Sequence, residues 1–141
     1  KRALTLTHRE YATTTTARLP LLGLIAAGEP IEALENPEMV DIPSSLLHPD
    51  NYVLQVKGNS MIDEQIHDKD YIVARKTNTA RSGQIVVALI NGEATLKYYI
   101  HGPEGVELHP RNPDFPIIKV DPKDDFHING VLLYSFRNYL N

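Results

Sequence analysis

Three short segments of this 141-residue sequence carry residue types that could together cut a peptide bond. Ser60 follows Gly58 in a Gly-x-Ser turn, and a serine hydroxyl becomes a nucleophile when a nearby base removes its proton. Lys97 could be that base, because an amine buried in an apolar, water-poor site loses its charge more readily. The segment from Ala26 to Glu29 (Ala-Ala-Gly-Glu) has small side chains, which would let its backbone enter a narrow cleft.

Each of these three features also has a purely structural interpretation. A Gly-x-Ser sequence is usually an ordinary turn, and a single strand lysine is usually a solvated surface residue. Gly28 could simply provide a positive φ in a tight loop. Backbone N–H groups around the Ser60 turn could face a developing oxyanion, but only a fold that brings the three segments together would give them chemistry.

From Tyr52 onward, the sequence pattern predicts short strands, and these strands must position the three segments. Asn91-Gly92 lies between two β-rich runs and predicts a hairpin, because a type I′ turn needs positive φ at both central positions. Turn residues separate the other runs at short intervals, which predicts a mostly β, compact, barrel-like fold. The strands are predicted over Tyr52–Lys57, Asp70–Arg75, Gln84–Ile90, Glu93–Ile100, Val106–His109, Ile117–Val120 and Ile128–Phe136.

Three local features refine this strand pattern. Strand alternation puts Lys97 on the same face as Thr95 and Tyr99. The segment Pro43–Leu47 predicts one short turn of helix. The segment Leu21–Gly28 is apolar and uncharged, so we expect it to be partly buried or to dock against another part of the molecule.

The composition argues against several classes of protein. The 14 basic and 18 acidic side chains give a net charge of −4, which disfavours a nucleic-acid-binding surface on the domain as a whole. There are no cysteines, and no apolar run approaches the ~18–20 residues that span a bilayer. The six histidines are scattered and form no close ligand pair, so we expect no metal site. There is no glycine-rich phosphate loop, and we expect no cofactor and no small-molecule substrate. The lack of an export signal and of disulfides favours the cytoplasm and no membrane contact.

The first 18 residues differ in composition from the rest of the chain. They carry four basic residues against Glu10 alone, and Thr13–Thr16 is a polar, low-complexity run. This composition favours a flexible linker over residues 1–18, with an edge strand as the alternative because threonine favours strands. The chain begins with Lys1 and not with Met, so we expect that something precedes it. Residues 19–141 are predicted to form one domain.

Three separated motifs, in register with one another, resemble those of LexA-like repressors. They correspond to the family's nucleophile region, the hairpin that delivers its catalytic lysine, and its cleavage region. In this sequence they are Gly58–Val73, Ile85–Lys97 and Leu19–Ile31, and Pro110–Pro113 and Gly130–Asn138 also fit. Ser60 and Lys97 are 37 residues apart, as in the family. The resemblance covers about residues 19–138, which is most of the chain.

Two residues beside the Ser-Lys pair depart from the family's pattern. Asn59 stands where many relatives carry aspartate, and Lys69 stands where a turn glycine is common in Asp-Gly-Asp. Both positions lie next to the dyad and not in it. They therefore bear on the details of the loops more than on the chemistry.

The resemblance implies a specific reaction on the β-rich fold shared with signal peptidases. Ser60 would attack the carbonyl of Ala27, Lys97 would act as general base, and the Ala27–Gly28 bond would be cut within the same molecule. The backbone N–H groups of Asn59 and Ser60 would stabilise the oxyanion. The cleavage loop would cover residues 22–29, including Leu24, Ile25, Ala26 and Glu29.

The resemblance also implies partners. A RecA filament on single-stranded DNA would trigger the cut, which would separate this dimerising half from an N-terminal half that binds operator DNA. The homodimer would form through the C-terminal strand region Val131–Asn138, an apolar terminal strand with a free edge. Three alternatives stay open: a UmuD-like mutagenesis protein, which typically cleaves at Cys-Gly, a signal peptidase, and a repressor dimerisation module that does not cleave.

Overall fold

The computed structural model describes residues 16–139, which form a ten-stranded β-sheet with two short 3-10 turns. The prediction of a mostly β fold is confirmed. The strands are β1 (Thr16–Ala26), β2 (Glu32–Ala33), β3 (Met39–Pro43), β4 (Asn51–Lys57), β5 (Tyr71–Arg75), β6 (Ile85–Ile90), β7 (Glu93–Gly102), β8 (Gly105–His109), β9 (Ile118–Lys119) and β10 (Phe126–Phe136). The 3-10 turns are Ser44–Leu46 and Ile62–Glu64.

All seven strands expected after residue 51 are present, as β4 to β10, with ends that shift by one to a few residues. The predicted hairpin joins β6 to β7, and both residues of its turn have positive φ, 52° at Asn91 and 83° at Gly92. Ser44–Leu46 forms the short helical turn expected there. Short-range patterns therefore predicted this half of the fold correctly.

The long strand β1 was not predicted as a strand, although its burial was. Leu21, Gly23 and Ile25 are buried and alternate with more exposed neighbours, which is the period of a strand with one face in the core. Thr16–Arg18, part of the proposed linker, already belong to β1 and pair with β3. Residues 1–15, the rest of that proposed linker, lie outside the described residues.

The strand order, together with one bridge, brings the segment after β1 close to β7. It runs β2-β1-β4-β5-β10-β6-β7-β8-β9, with β3 paired to the other part of β1. β1 runs parallel to β4, and just beyond β1 an isolated bridge links Glu29 to Ala94 in β7. Since β1 and β7 are distant in the strand order, this bridge curls the sheet towards a barrel.

A free edge was expected along the C-terminal strand, β10, but strand partners cover part of its edges. β10 lies inside the sheet: Phe126–Val131 pairs with β6 and Val131–Phe136 pairs with β5. The expectation of a terminal strand at the edge of the sheet is therefore wrong. Beyond Val131, however, the side of β10 that faced β6 has no strand partner within the part of the chain that the structure describes.

Candidate active site

The predicted nucleophile and base meet at the end of β4 and the middle of β7. β4 ends at Lys57, and Gly58, with a φ of 96°, turns the backbone so that Ser60 faces the interior. Lys97 Nζ lies 3.0 Å from Ser60 Oγ, which is hydrogen-bond distance. The fold thus joins two side chains that are 37 residues apart in the sequence.

Lys97 is the most unusual residue of the site, because a lysine with only 1% of its surface exposed is rare. Burial lowers the pKa of its amine to about 8, since the charged form is disfavoured away from water. None of the ion pairs found among residues 16–139 involves Lys97. The environment therefore favours the neutral amine.

The three contacts of Lys97 Nζ satisfy the three donors of an ammonium and also suit the neutral amine. Besides Ser60 Oγ, Nζ contacts Thr95 Oγ1 and the backbone oxygen of Leu96, the latter at 3.1 Å. A neutral amine has two N–H donors and one lone pair. Donation to Thr95 and Leu96 uses both donors and leaves the lone pair for the Ser60 hydroxyl. Sequence analysis placed Thr95 on the face of Lys97 but did not identify it as part of the site.

Two hydrogen bonds to the loop before β5 fix the turn that precedes Ser60. The N–H of Gly58 donates to Asp68 Oδ1 at 2.7 Å, and the N–H of Asp68 donates to Asn59 Oδ1 at 3.1 Å. The asparagine that departs from the family pattern thus supplies an acceptor, as an aspartate would. Lys69, the other departure, has a φ of 72°, a region that favours glycine.

Arg111 and Asn112, in the loop after β8, also hold the turn around Ser60 through hydrogen bonds. The N–H of Arg111 donates to Ser60 O at 2.9 Å, and Asn112 Nδ2 donates to Asn59 O at 2.9 Å. The Arg111 guanidinium also lies 4.0 Å from the centre of the Tyr98 ring. This role was not predicted, and the only signal for it in the sequence is the Pro-Arg-Asn-Pro segment Pro110–Pro113.

The backbone N–H groups of Asn59 and Ser60, the predicted oxyanion donors, point to no protein acceptor. Within residues 16–139, neither group donates a hydrogen bond to a backbone or side-chain oxygen. Both carbonyl groups of the same two residues are held, as described above. Two donors held in a fixed turn without a partner are suited to a developing negative charge.

The small-residue segment forms a tight turn beside this pair. The N–H of Glu29 donates to Ala26 O at 3.3 Å, and Gly28 has a φ of 78°, as a glycine at the third position of a turn allows. Ala26 is paired with Lys57 at the end of β4, and Glu29 O accepts from the N–H of Ala94 at 2.6 Å. Residues 27 and 28 therefore lie between the strand that leads to the serine and the strand that carries the lysine.

The cleavage loop expected over residues 22–29 is mostly strand. Leu24 and Ile25 pair with β4, Ile25 is buried in the core, and Leu22 is half exposed. A Cβ built on Gly28 would have no atom within 4 Å, so a side chain at this position would not collide with the rest of the molecule in this arrangement. The positive φ is the constraint that remains.

Other kinds of site were sought across the described range. No group of three histidine or acidic side chains among residues 16–139 is arranged to hold a metal ion. Over the same range no helix is long and apolar enough to cross a membrane.

Comparison with known proteins agrees with this geometry. The Peptidase S24-like family matches residues 20–133. The LexA repressor of Syntrophotalea carbinolica is 46% identical over 86% of this chain and 61% of its own length. Those of Koribacter versatilis and Pseudothermotoga lettingae are 44% and 47% identical, over 91% and 86% of this chain and 61% and 62% of their own. The chain thus spans about three fifths of these curated relatives. It belongs to the Peptidase S24-like family.

Proposed function

We propose that this chain is the self-cleaving serine peptidase domain of a LexA-type SOS repressor and that it hydrolyses its own Ala27–Gly28 bond. The observation that carries the proposal is the buried Lys97 amine, 3.0 Å from Ser60 Oγ. The turn that contains the Ala27–Gly28 bond is flanked by Ala26, which pairs with β4, and by Glu29, which bridges to β7. The names of the relatives, all LexA repressors, support this reading over a UmuD-like protein. The Ala-Gly sequence at the turn supports it as well.

The reaction needs only groups that the chain supplies and one water molecule. Ser60 Oγ attacks the carbonyl carbon of Ala27 while Lys97 Nζ takes the hydroxyl proton. The C–N bond then breaks, Lys97 returns the proton to the nitrogen of Gly28, and an ester joins Ser60 to Ala27. Lys97 next removes a proton from a water molecule whose oxygen attacks the ester carbon. The bond from that carbon to Ser60 Oγ then breaks, and Lys97 returns the proton to Ser60 Oγ. The products are a carboxylate at Ala27 and a free amino group at Gly28.

The turn around Ser60 stabilises the charge that forms in this reaction. When the carbonyl carbon becomes tetrahedral, its oxygen gains negative charge, and the N–H groups of Asn59 and Ser60 are the donors proposed to bind it. Arg111 and Asn112 act as positioning residues, because they hold the carbonyl groups of the same turn. Such preorganised donors need no rearrangement during the reaction.

A time course of cleavage tests the dyad. Ser60→Ala and Lys97→Ala should both abolish the cut, because each removes a group that handles the transferred proton. Ser45→Ala and Lys57→Ala change the same residue types at exposed positions and should leave the rate unchanged. Cleavage at the wild-type rate in either dyad variant would contradict the proposal.

In the whole repressor, cleavage would separate this domain from a DNA-binding domain that precedes it. Two DNA-binding domains joined through a dimer bind a two-half-site operator at high effective concentration. Once the cut has let the two halves separate, the link is lost, and operator binding weakens without a change in either DNA-binding domain. A RecA filament on single-stranded DNA would be the trigger, and both partners would meet the repressor in the cytoplasm.

The dimer is proposed to use the second half of β10, within Val131–Asn138. Leu133 and Tyr134 are 39% and 44% exposed, which is unusual for apolar side chains on a strand inside a sheet. One edge of this half has no strand partner among residues 16–139, so a second copy can pair with it. Sedimentation should give a dimer at micromolar concentration, and Tyr134→Asp should shift it to monomer. A wild-type monomer at those concentrations would contradict the assignment.

A further inference from the structure

β1, the strand that leads to the proposed cut, is held by strands on both sides. Thr16–Pro20 pairs antiparallel with β3, and Leu21–Ala26 pairs parallel with β4. Gly23 and Leu24 pair in addition with β2. β1 is thus paired along almost its whole length, with strand partners on both sides at Gly23 and Leu24, and is not a loose arm on the surface.

The side chains of β1 also belong to the core. Leu21 and Ile25 are each 2% exposed, and they lie in two different hydrophobic clusters. Gly23 lies between them, and a Cβ there would come within 2.5 Å of Glu32 O. The backbones of β1 and β2 therefore approach as closely as only a glycine permits.

The proposed cut would leave all of these contacts in place. The last residue of β1 paired with β4 is Ala26, and the next paired residue, Glu29, bridges to Ala94. The Ala27–Gly28 bond lies in the turn between them. Hydrolysis there breaks one covalent bond and no hydrogen bond between strands.

We propose that after the cut β1 stays in the sheet as a separately bound strand, so that its position is a binding site for an extended peptide. This inference rests on the proposed self-cleavage. The ligand chemistry follows from the strand: apolar side chains at Leu21 and Ile25, a glycine at 23, and two alanines ending in a free carboxylate. Inactivation of the repressor then takes two steps, cleavage and release of the N-terminal piece.

The two steps differ in their dependence on concentration. Before the cut, β1 is tethered and binds its own groove at an effective concentration in the millimolar range. After the cut, the same contacts form between two molecules, so dilution favours release. The cut chain should hold its N-terminal piece at about 10 μM and lose it on dilution.

Native mass spectrometry and gel filtration of the fully cut chain test this binding. The chain is held at alkaline pH until pieces 1–27 and 28–141 replace it, and is then returned to neutral pH. We expect the two pieces to migrate together at micromolar concentration and to separate on dilution. A fluorescent peptide of residues 16–27 should exchange into the cut protein but not into uncut Ser60→Ala, whose groove is occupied by its own strand.

Two neighbouring leucines provide the matched variants. Leu21→Ala removes a buried side chain and should weaken retention by at least about tenfold, whereas Leu22→Ala changes a side chain that is 47% exposed and should have little effect. Neither residue belongs to the dyad or to the turn around it.

Separation of the pieces at micromolar concentration as soon as the bond is cut would overturn the inference while leaving the proposed cleavage intact. Equal retention in the two leucine variants would also overturn it. If the chain does not cut itself, the proposed function fails, and pieces 1–27 and 28–141 refolded together from urea still test retention. Failure to co-migrate in that experiment would refute the binding site by itself.

Discussion

At the scale of single residues, the account depends on a lysine placed where its charge is unfavourable. Lys97 is surrounded by core side chains. Among residues 16–139, its polar contacts are two oxygens of its own strand and Ser60 Oγ. A lowered pKa means that folding favours the neutral amine, so the site is prepared for proton uptake at the expense of stability. This relation between function and stability can be measured.

Replacing Lys97 by methionine should change how stability depends on pH. The pKa of Lys97 is about 8 in the folded state against 10.5 as a model value, so between these values the unfolded chain holds a proton that the folded chain has lost. Stability conferred by this group therefore rises with pH across that window, by about 3 kcal/mol in all. The methionine variant lacks this rise.

Urea unfolding at several pH values measures the difference, with Ser60→Ala in both chains to prevent cleavage. The advantage of Lys97→Met should be largest below pH 8 and should shrink towards pH 10.5. Other titrating groups affect both chains equally. A difference that stays constant across this window would show that Lys97 is not perturbed.

Thr95 should act as a positioning residue for the lysine. Its hydroxyl accepts a hydrogen bond from Nζ and is buried with it. Thr95→Val keeps the shape but removes the acceptor, so the amine loses its fixed direction and cleavage should slow by about tenfold or more. Thr95→Ser restores the hydroxyl and should restore most of the rate, together with the wild-type pH profile. A valine variant that cleaves normally would exclude this role.

At the scale of elements, the turn that contains the Ala27–Gly28 bond depends on the φ angle of Gly28. Gly28 has a φ of 78°, and a Cβ there would meet no other atom within 4 Å. Substitution should therefore act through the backbone and not through a collision. Gly28→Asn, which tolerates positive φ, should cleave more slowly than wild type by only a small factor, whereas Gly28→Val should lose most activity.

Cleavage rates of these two Gly28 variants can be compared directly if both fold. Thermal unfolding of each variant provides that control, since residue 28 is exposed and neither change should lower the melting temperature much. Equal rates in the asparagine and valine variants would show that the angle does not matter.

The sequence predicts an element well when neighbouring residues determine its structure, and poorly when contacts with distant residues do. The hairpin that carries Lys97 follows from Asn91-Gly92 alone, and the structure confirms it. β1 was missed because Pro20 and Gly23 interrupt its pattern, and its strand character comes from partners distant in the sequence. The same holds for Arg111 and Asn112, whose role depends on a loop 50 residues away from Ser60 that no local pattern reveals.

At the scale of the whole molecule, two coupled conditions would control the proposed cut. Lys97 would have to be neutral, and the turn that contains Ala27 and Gly28 would have to dock over Ser60 and Lys97. A turn that excludes water from Lys97 also lowers its pKa, so a partner that binds only this arrangement would promote both conditions together. A shift of the population from 1:99 to 99:1 requires roughly 5.5 kcal/mol of differential affinity.

The dependence of cleavage rate on pH, with and without RecA filaments on single-stranded DNA, tests this coupling. Without filaments the rate should rise with pH, about tenfold per unit below the pKa of Lys97 and less steeply above pH 8. With filaments the rate near neutral pH should increase and the profile should flatten. Two equally steep profiles would refute the coupling, and no acceleration at all would favour a repressor that RecA does not induce.

The central claim is that Ser60 and Lys97 cut the chain between Ala27 and Gly28, and the masses of the products test it most directly. Mass spectrometry of the chain after incubation at about pH 10, where the amine of Lys97 is neutral, should show one new piece that ends at Ala27 and one that begins Gly28-Glu29-Pro30. Neither piece should form from Ser60→Ala or Lys97→Ala. A cut at another bond, or the same pieces from both variants, would contradict the account.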